Sequence, residues 1–134
     1  MKVYEFTEVE AMAEVVINEK LDYQRLAEDV VYAVQCGKAV EEAMDNDDGT
    51  CNLDFCLIKL PPRTRRDTLH KALAAVESRE KVSVHMGKSF RFKNYFAIYP
   101  DTDCQANARN ANVEEIVKVL TERGWDCMVF YLMD

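Results

Sequence analysis

The chain has 134 residues, 49% of them hydrophobic, and its 24 acidic and 17 basic side chains give a net charge of −7. This size and apolar content predict one compact domain, residues 1–134, with a single core. No run of about 18 apolar residues is present to span a membrane, and the first ten residues lack the basic start and apolar stretch of a signal peptide, so we expect a cytoplasmic protein.

The amino-terminal part, residues 1–50, is predicted to be a short strand followed by a helical pair. Residues 2–7 alternate like a strand, and Thr7 with Glu10 forms a capping box for a helix over residues 8–20. Asp22 caps the second helix, whose apolar stripe predicts one helix of about 24 residues. A glycine inside it, Gly37, is tolerated best where another backbone packs closely. The stripe consists of Tyr23, Leu26, Val30, Ala33, Gly37, Val40 and Met44.

The middle of the chain predicts a strand, a helix and a hairpin. Residues 51–60 form the strand, Pro61 and Pro62 end it, and Thr64 with Asp67 forms a capping box for the next helix. The hairpin comprises residues 81–86 and 89–99 and turns at Gly87. Its alternation directs one set of side chains inward and a basic, tyrosine-bearing set outward. The inward set is Phe90, Phe92, Phe96 and Ile98, and the outward set is Arg91, Lys93, Tyr95 and Tyr99.

The carboxyl-terminal part predicts a loop, a helix and a strand. Residues 100–112 have loop composition, Asn112 caps the helix that follows, and Gly124 ends it. Residues 125–133 are apolar on both faces of a strand, which predicts a central strand covered on both sides.

From residue 51 onward the predicted order is strand, helix, strand, strand, helix, strand, which is the ferredoxin-like order. That order leaves one sheet face bare, and the amino-terminal helical pair is available to cover it. We therefore expect an α+β domain in which helices sandwich a mixed or antiparallel sheet.

Charge is distributed unevenly along the chain. Residues 1–54 carry a net charge of −10, residues 55–98 carry +7 and residues 99–134 carry −4. Opposed blocks of this kind indicate interaction surfaces, although charge runs are more often solvated faces. They also permit head-to-tail self-association, which would give a homo-oligomer.

The acidic block has two interpretations. The simpler one is a soluble acidic surface. The other is a surface that mimics nucleic acid and docks on a basic protein partner, because carboxylates in rows offer a phosphate-like field. The candidate partner-binding residues are Glu8, Glu10, Glu14, Glu28, Asp29, Glu41, Glu42, Asp45, Asp47 and Asp48.

The basic block is most unusual at the helix start after Pro62, where three arginines oppose the helix dipole. Backbone N–H groups and guanidinium groups together would hold an anion there. The competing interpretation, which we favour narrowly, is that these arginines pair with the chain's own carboxylates. The candidate residues for binding an anion or nucleic acid are Arg63, Arg65, Arg66, Lys71, Lys88, Arg91, Lys93 and Tyr95.

The sequence offers no catalytic constellation. Neither of the two histidines, His70 and His85, has a nucleophile or carboxylate in a recognisable pattern, and no glycine-rich loop could cradle a phosphate. The five cysteines have no metal or redox spacing, so we expect reduced, mostly buried thiols and neither metal nor cofactor. These are Cys36, Cys51, Cys56, Cys104 and Cys127.

We therefore expect a small non-enzymatic interaction protein that inhibits or regulates a nucleic-acid-handling protein by docking through complementary charge. The alternative is direct binding of nucleic acid or a phosphate-bearing ligand by the basic block, residues 59–93.

Overall fold

The computed structural model describes residues 21–44, 53–102 and 106–132 of the chain. These residues form three helices and four strands, so the predicted α+β class is confirmed. The predicted strand at residues 2–7 and helix at 8–20 lie outside the described residues. In the described parts of the chain, no helix has the length and apolar character needed to cross a membrane. The elements are α1 (Tyr23–Glu42), β1 (Phe55–Lys59), α2 (Arg66–Glu80), β2 (His85–Lys88), β3 (Tyr95–Tyr99), α3 (Ala106–Glu122) and β4 (Asp126–Phe130).

The four strands form one antiparallel sheet in the order β2-β3-β1-β4. Cys56 of β1 lies opposite Ile98 of β3 and Val129 of β4, which aligns one apolar face across the three strands. Because side chains alternate along a strand, Phe55 and Leu57 lie on the other face. We call the first of these the helical face and the second the aromatic face.

The hydrophobic core lies between the helical face and all three helices. Strand residues such as Cys56 and Ile98 share one cluster with residues from α1, α2 and α3. Full burial of a Leu, Ile or Val side chain contributes about 1.5–3 kcal/mol, so this single cluster dominates the stability of the fold. The largest fully buried members contributed by the helices are Leu26, Val30, Val31, Val34, Leu69, Val76, Val113, Ile116 and Leu120.

Helix α1 is one continuous helix of 20 residues, as predicted. Its amino-terminal cap is Asp22, whose carboxylate accepts a hydrogen bond from the Arg25 backbone N–H at 3.0 Å. The predicted close approach at Gly37 is also confirmed, because a Cβ there would lie 2.2 Å from Asn112 Oδ1 and 2.8 Å from the Asn112 backbone oxygen. The absence of a side chain at Gly37 therefore allows the backbones of α1 and α3 to pack closely together.

The prediction that the helical pair covers the second sheet face is wrong for α1. This helix packs against α2 and α3, and its buried stripe belongs to the same cluster as Cys56 and Ile98. The reason is that the apolar stripe of α1 is buried against the apolar residues of α2 and α3, on the same side of the sheet. The first helix of the predicted pair lies outside the described residues.

Among the described strands, β4 lies at the edge of the sheet and pairs with β1, whereas a central strand was predicted. Met128 on its aromatic face is 49% exposed. Its other apolar residue on that face, Phe130, stacks on Phe55 of β1 with ring centroids 5.1 Å apart. Among the described residues, a neighbouring ring therefore packs on this face of β4.

The hairpin turn lies at residues 89–94, after the predicted Gly87 position, because β2 continues through Lys88. Phe96 and Ile98 lie on the helical face, and Tyr95 and Tyr99 on the opposite one, as expected. The inward placement of Phe90 and Phe92 is wrong. Both fall within the six-residue turn, where the strand alternation does not hold.

Helix α3 begins at Ala106, so the predicted loop ends earlier than expected and Asn112 is not its cap. Asn112 lies inside the helix with 0% exposure, facing α1. The helix ends at Gly124 as predicted: the φ of Gly124 is +94°, and the Trp125 N–H donates to the Leu120 carbonyl oxygen at 3.0 Å.

Adding a methyl group at Gly37 is expected to destabilise the protein. The clash is partly with backbone, so we expect the upper end of the about 1–3 kcal/mol typical of overpacking. That exceeds the about 1 kcal/mol that alanine gains in helix propensity. Gly37→Ala should therefore lower the midpoint of urea unfolding. Gly87→Ala is the matched control, since nothing lies within 4 Å of a Cβ at that position. Equal midpoints for the two variants would contradict the close approach.

Candidate nucleic-acid interface

The arginine-rich start of α2 is not capped as predicted. The helix begins at Arg66, and its cap residue is Arg65, whose side chain makes no capping hydrogen bond. Thr64 donates its hydroxyl to the Pro61 carbonyl oxygen at 2.7 Å, so the predicted Thr64 capping box is wrong. The tight turn after the prolines holds Thr64 one residue too early to cap the helix.

The fold brings the basic segments together at one end of the sheet. The Leu60 N–H donates to the Asn94 carbonyl oxygen at 2.9 Å, which joins the residues that lead into α2 to the turn at 89–94. In the sheet register, Lys59 lies opposite Tyr95. We call this group of exposed cations the basic end. It comprises Lys59, Arg63, Arg65, Arg66, Lys88, Arg91 and Lys93.

Lys59 of this group was not among the predicted site residues, because the sequence does not show which end of each strand faces the same way. Lys71 is exposed on α2, further along the helix from the basic end. Tyr95 is half-buried on the aromatic face. All the predicted basic candidates are therefore placed, and six of them belong to the basic end.

Within residues 21–44, 53–102 and 106–132, no carboxylate forms an ion pair with any cation of the basic end. Asp126 lies opposite Lys59 in the register but does not pair with it. Among the described residues, the ion pair of Arg79 with Glu28, at 3.6 Å, links the two charge blocks, and it joins α2 to α1. The described carboxylates therefore do not account for the three arginines at the helix start.

An aromatic cluster occupies the face of the sheet opposite the helices. Phe55 lies 5.1 Å from Tyr99 and 5.1 Å from Phe130, measured between ring centroids. Phe92 reaches over this face from the turn and contacts Phe130 at 5.6 Å and Tyr95 at 6.3 Å. The turn thus folds back across the sheet, with Phe92 as its anchor.

Arg91 lies over this cluster. Its guanidinium carbon is 5.4 Å from the centroid of Phe130 and 5.8 Å from that of Phe92, within the range of cation–π attraction. Ser89 also orders the turn, because its hydroxyl oxygen accepts hydrogen bonds from the backbone N–H groups of Arg91 and Phe92. Phe90 extends from this ordered turn into solvent and is 98% exposed.

Two of the predicted acidic surface residues are buried and paired inside the protein. Asp29 is 6% exposed, and it accepts hydrogen bonds from Arg123 Nη1 at 2.7 Å and Trp125 Nε1 at 2.9 Å. Asp29 also raises the pKa of Arg123. Its expected exposure is wrong, because the contact between α1 and the end of α3 encloses it.

Glu41 is the second such residue, at 5% exposure. Its carboxylate accepts hydrogen bonds from Asn112 Nδ2 at 3.1 Å and from Lys38 Nζ at 3.3 Å. Burial alone would raise the pKa of Glu41, but hydrogen bonds from Thr102, Asn112 and Lys38 outweigh it and hold the pKa below its usual value of 4.5. Glu41 therefore stabilises the contact between α1 and α3.

The other acidic candidates divide into two groups. Glu28 and Glu42 are exposed on α1, and Glu28 pairs with Arg79. The rest lie outside the described residues, so their role stays a prediction. They are Glu8, Glu10, Glu14, Asp45, Asp47 and Asp48.

Both histidines line a groove of about 460 Å³ between α2 and β2. His70 Nε2 lies 3.2 Å from the Met86 carbonyl oxygen, and the Val84 N–H donates to Glu77 at 2.9 Å. His70 and Glu77 thus bind backbone groups along the outer edge of β2, which gives these two side chains a structural role. In the part of the chain that the structure describes, no three side chains of the metal-ligating types come together.

Cys36, Cys56 and Cys127 carry unpaired thiols, and the other two cysteines lie outside the described residues. The neighbouring Cys127 thiol, together with burial, raises the pKa of Cys56, so Cys56 stays a protonated, apolar core residue.

Comparison with known proteins finds no matching family model, no similar curated protein and no matching solved structure.

Stability should depend on Glu41 in a pH-dependent way. Because the pKa of Glu41 is lower in the folded state, its stabilising contribution is present above about pH 4.5 and is lost as the pH falls through the folded-state pKa. We expect Glu41→Gln to cost about 1.5–3 kcal/mol at neutral pH, the range for hydrogen bonds to charged groups. The difference from the parent should shrink toward about pH 3.

Urea unfolding at several pH values measures this effect. Glu42→Gln is the control, because an exposed neighbour should change stability by no more than about 0.5 kcal/mol. A Glu41→Gln deficit that is the same at neutral and acid pH would contradict the role of the carboxylate charge.

Proposed function

We propose that the protein is a small non-enzymatic binding protein that contacts nucleic acid through its basic end. The observation that carries this proposal is the meeting, at one end of the sheet, of segments that carry seven exposed cations, none of which forms an ion pair with a described carboxylate. Three arginines there sit at a helix start, where each exposed cation costs about 0.3–1 kcal/mol until an anion offsets it.

Phosphate is the anion that this arrangement suits. Guanidinium groups bind phosphate oxygens in a bidentate manner, and the uncapped backbone N–H groups at the start of α2 add donors. Several cations spread over one surface favour a chain of phosphates over a single phosphate group.

The net charge of −7 weighs less against this proposal than it first suggests. The described residues carry 15 basic and 14 acidic side chains, so they are nearly neutral. The remaining residues carry 2 basic and 10 acidic side chains and supply the negative charge. A nearly neutral body with a cationic end can bind a polyanion locally.

That same distribution supports a second candidate, docking of the acidic segments on a basic protein partner as an inhibitor or regulator. Residues 45–52 include Asp45, Asp47 and Asp48 and no basic residue. Under this proposal, changing those three residues to Asn should abolish retention of a protein partner at low salt. Failure of the unchanged chain to retain any partner at low salt would reject it.

We further infer a ferredoxin-like core and a cytoplasmic location. The order of elements from β1 to β4 supports the fold assignment, although α1 precedes them. The three unpaired thiols support a reducing compartment. An experimental structure and localisation of a tagged chain would test the two inferences.

Nucleic-acid binding should weaken when the arginines are removed. We expect Arg65→Ala with Arg66→Ala to lower affinity and to reduce the slope of log affinity against log salt by about 0.7 per lost contact on a single strand, or about 0.9 on a duplex. Fluorescence anisotropy of a labelled oligonucleotide between about 50 and 200 mM salt measures both effects.

The control is Lys118→Ala, because Lys118 is exposed on α3 and paired with Glu115. It should leave affinity and slope unchanged. If the chain bound neither single-stranded nor duplex nucleic acid at low salt, the proposal would be wrong.

A further inference from the structure

Phe90 is the most exposed aromatic side chain of the described residues, at 98% exposure. Its position is not that of a loosely held loop tip. Ser89 binds the backbone of the next turn residues, the Ser89 N–H donates to the Tyr95 carbonyl oxygen at 2.9 Å, and Asn94 adopts a φ of +67° that closes the turn. Phe92, two residues on, is anchored on the aromatic cluster.

The turn therefore packs the Phe92 ring on the sheet and leaves the Phe90 ring exposed to solvent. Because the backbone around Phe90 is already ordered, a ligand that contacts the ring bears little further cost of ordering the chain. Buried packing does not explain the ring, since almost none of its surface is covered.

The charges beside Phe90 identify the ligand class. Lys88, Arg91 and Lys93 all lie within three residues of the ring, and all are exposed. An aromatic ring between cations combines stacking on a base with contacts to the flanking phosphates, which is how proteins hold single strands.

We propose that Phe90 stacks on a base of a single-stranded nucleic acid whose phosphates run along the basic end. This inference rests on the proposed function and narrows its ligand. A base inside a duplex already has both faces stacked, so a ring that stands in solvent can stack only on an unpaired base. The ligand is therefore single-stranded, and the basic end alone supplies whatever affinity a duplex has.

The test compares Phe90→Ala with the parent chain by fluorescence anisotropy. The probes are labelled oligo(dT) of about 20 nucleotides and the corresponding dA·dT duplex. We expect Phe90→Ala to weaken binding of the single strand about 5- to 150-fold, the range for loss of one base–aromatic stack. Duplex binding and the salt slope for the single strand should not change, because no charge is removed.

Two further variants make the result specific. Phe90→Trp should retain single-strand affinity, and its fluorescence should be quenched as oligo(dT) is added. Met44→Ala is the control for loss of an exposed apolar side chain. Met44 follows the carboxyl-terminal end of α1, and the opposite end of this helix, about 30 Å away at Asp22, is the end that adjoins the basic end. The exposure of Phe90 means that Phe90→Ala should unfold at the same urea concentration as the parent.

The outcomes separate this inference from the proposed function. If single-strand binding falls with the arginine variants but not with Phe90→Ala, the stacking role is wrong and the proposed function stands. Absence of binding to either probe at low salt would reject both. Loss of binding to anionic phosphatidylserine vesicles in Phe90→Ala, with unchanged oligo(dT) binding, would assign the ring to a lipid surface and overturn the inference.

Discussion

The contact between Gly37 and Asn112 is the constraint on which the arrangement of the helices depends. Without a side chain at Gly37, α1 approaches the backbone of α3 closely enough for Asn112 to reach Glu41. The contact holds α1 against α3, and it buries the Glu41 carboxylate. At the other end of α1, the Tyr23 hydroxyl accepts a hydrogen bond from the Arg65 N–H at 2.8 Å, so the same helix also supports the arginine-rich segment.

Local signals in the sequence predict the elements of this fold better than their arrangement. Asp22 and Gly124 act as cap and stop at the predicted positions because their effects depend only on neighbouring backbone. The position of β4 depends instead on which strands pair with each other. Its apolar residues are compatible with the edge of the described sheet because Phe130 stacks on Phe55. Asn112 likewise could not be placed from local sequence. Asparagine often caps a helix, but here it is buried within α3, where it binds the Glu41 carboxylate of α1.

The sequence predicted which residues give the candidate site its positive charge, but not how they are arranged in space. The run of cations in residues 59–93 is evident from composition, whereas the meeting of the α2 start with the turn at 89–94 depends on the Leu60–Asn94 hydrogen bond. Phe90 and Phe92 were misplaced because a strand alternation was extended through a turn. Gly87 and Ser89, which are residue types that favour turns, were the local signal that the strand ends nearby. Asp29 and Glu41 could not be separated from surface carboxylates, because Arg123 and Asn112, which bind them across the helix contact, lie 94 and 71 residues away in sequence.

The orientation of α1 has a kinetic consequence. Its amino-terminal end adjoins the basic end, whereas Glu42 is exposed at its carboxyl-terminal end. The charges are thus separated along about 30 Å of helix, which gives the molecule a permanent electric dipole. If the protein binds a polyanion as proposed, this dipole would experience a torque at distances where the net charge alone would repel, and the torque would turn the cationic side forward before contact. Glu42, at the far end of α1 from the basic end, would then influence how fast a complex forms more than how long it lasts.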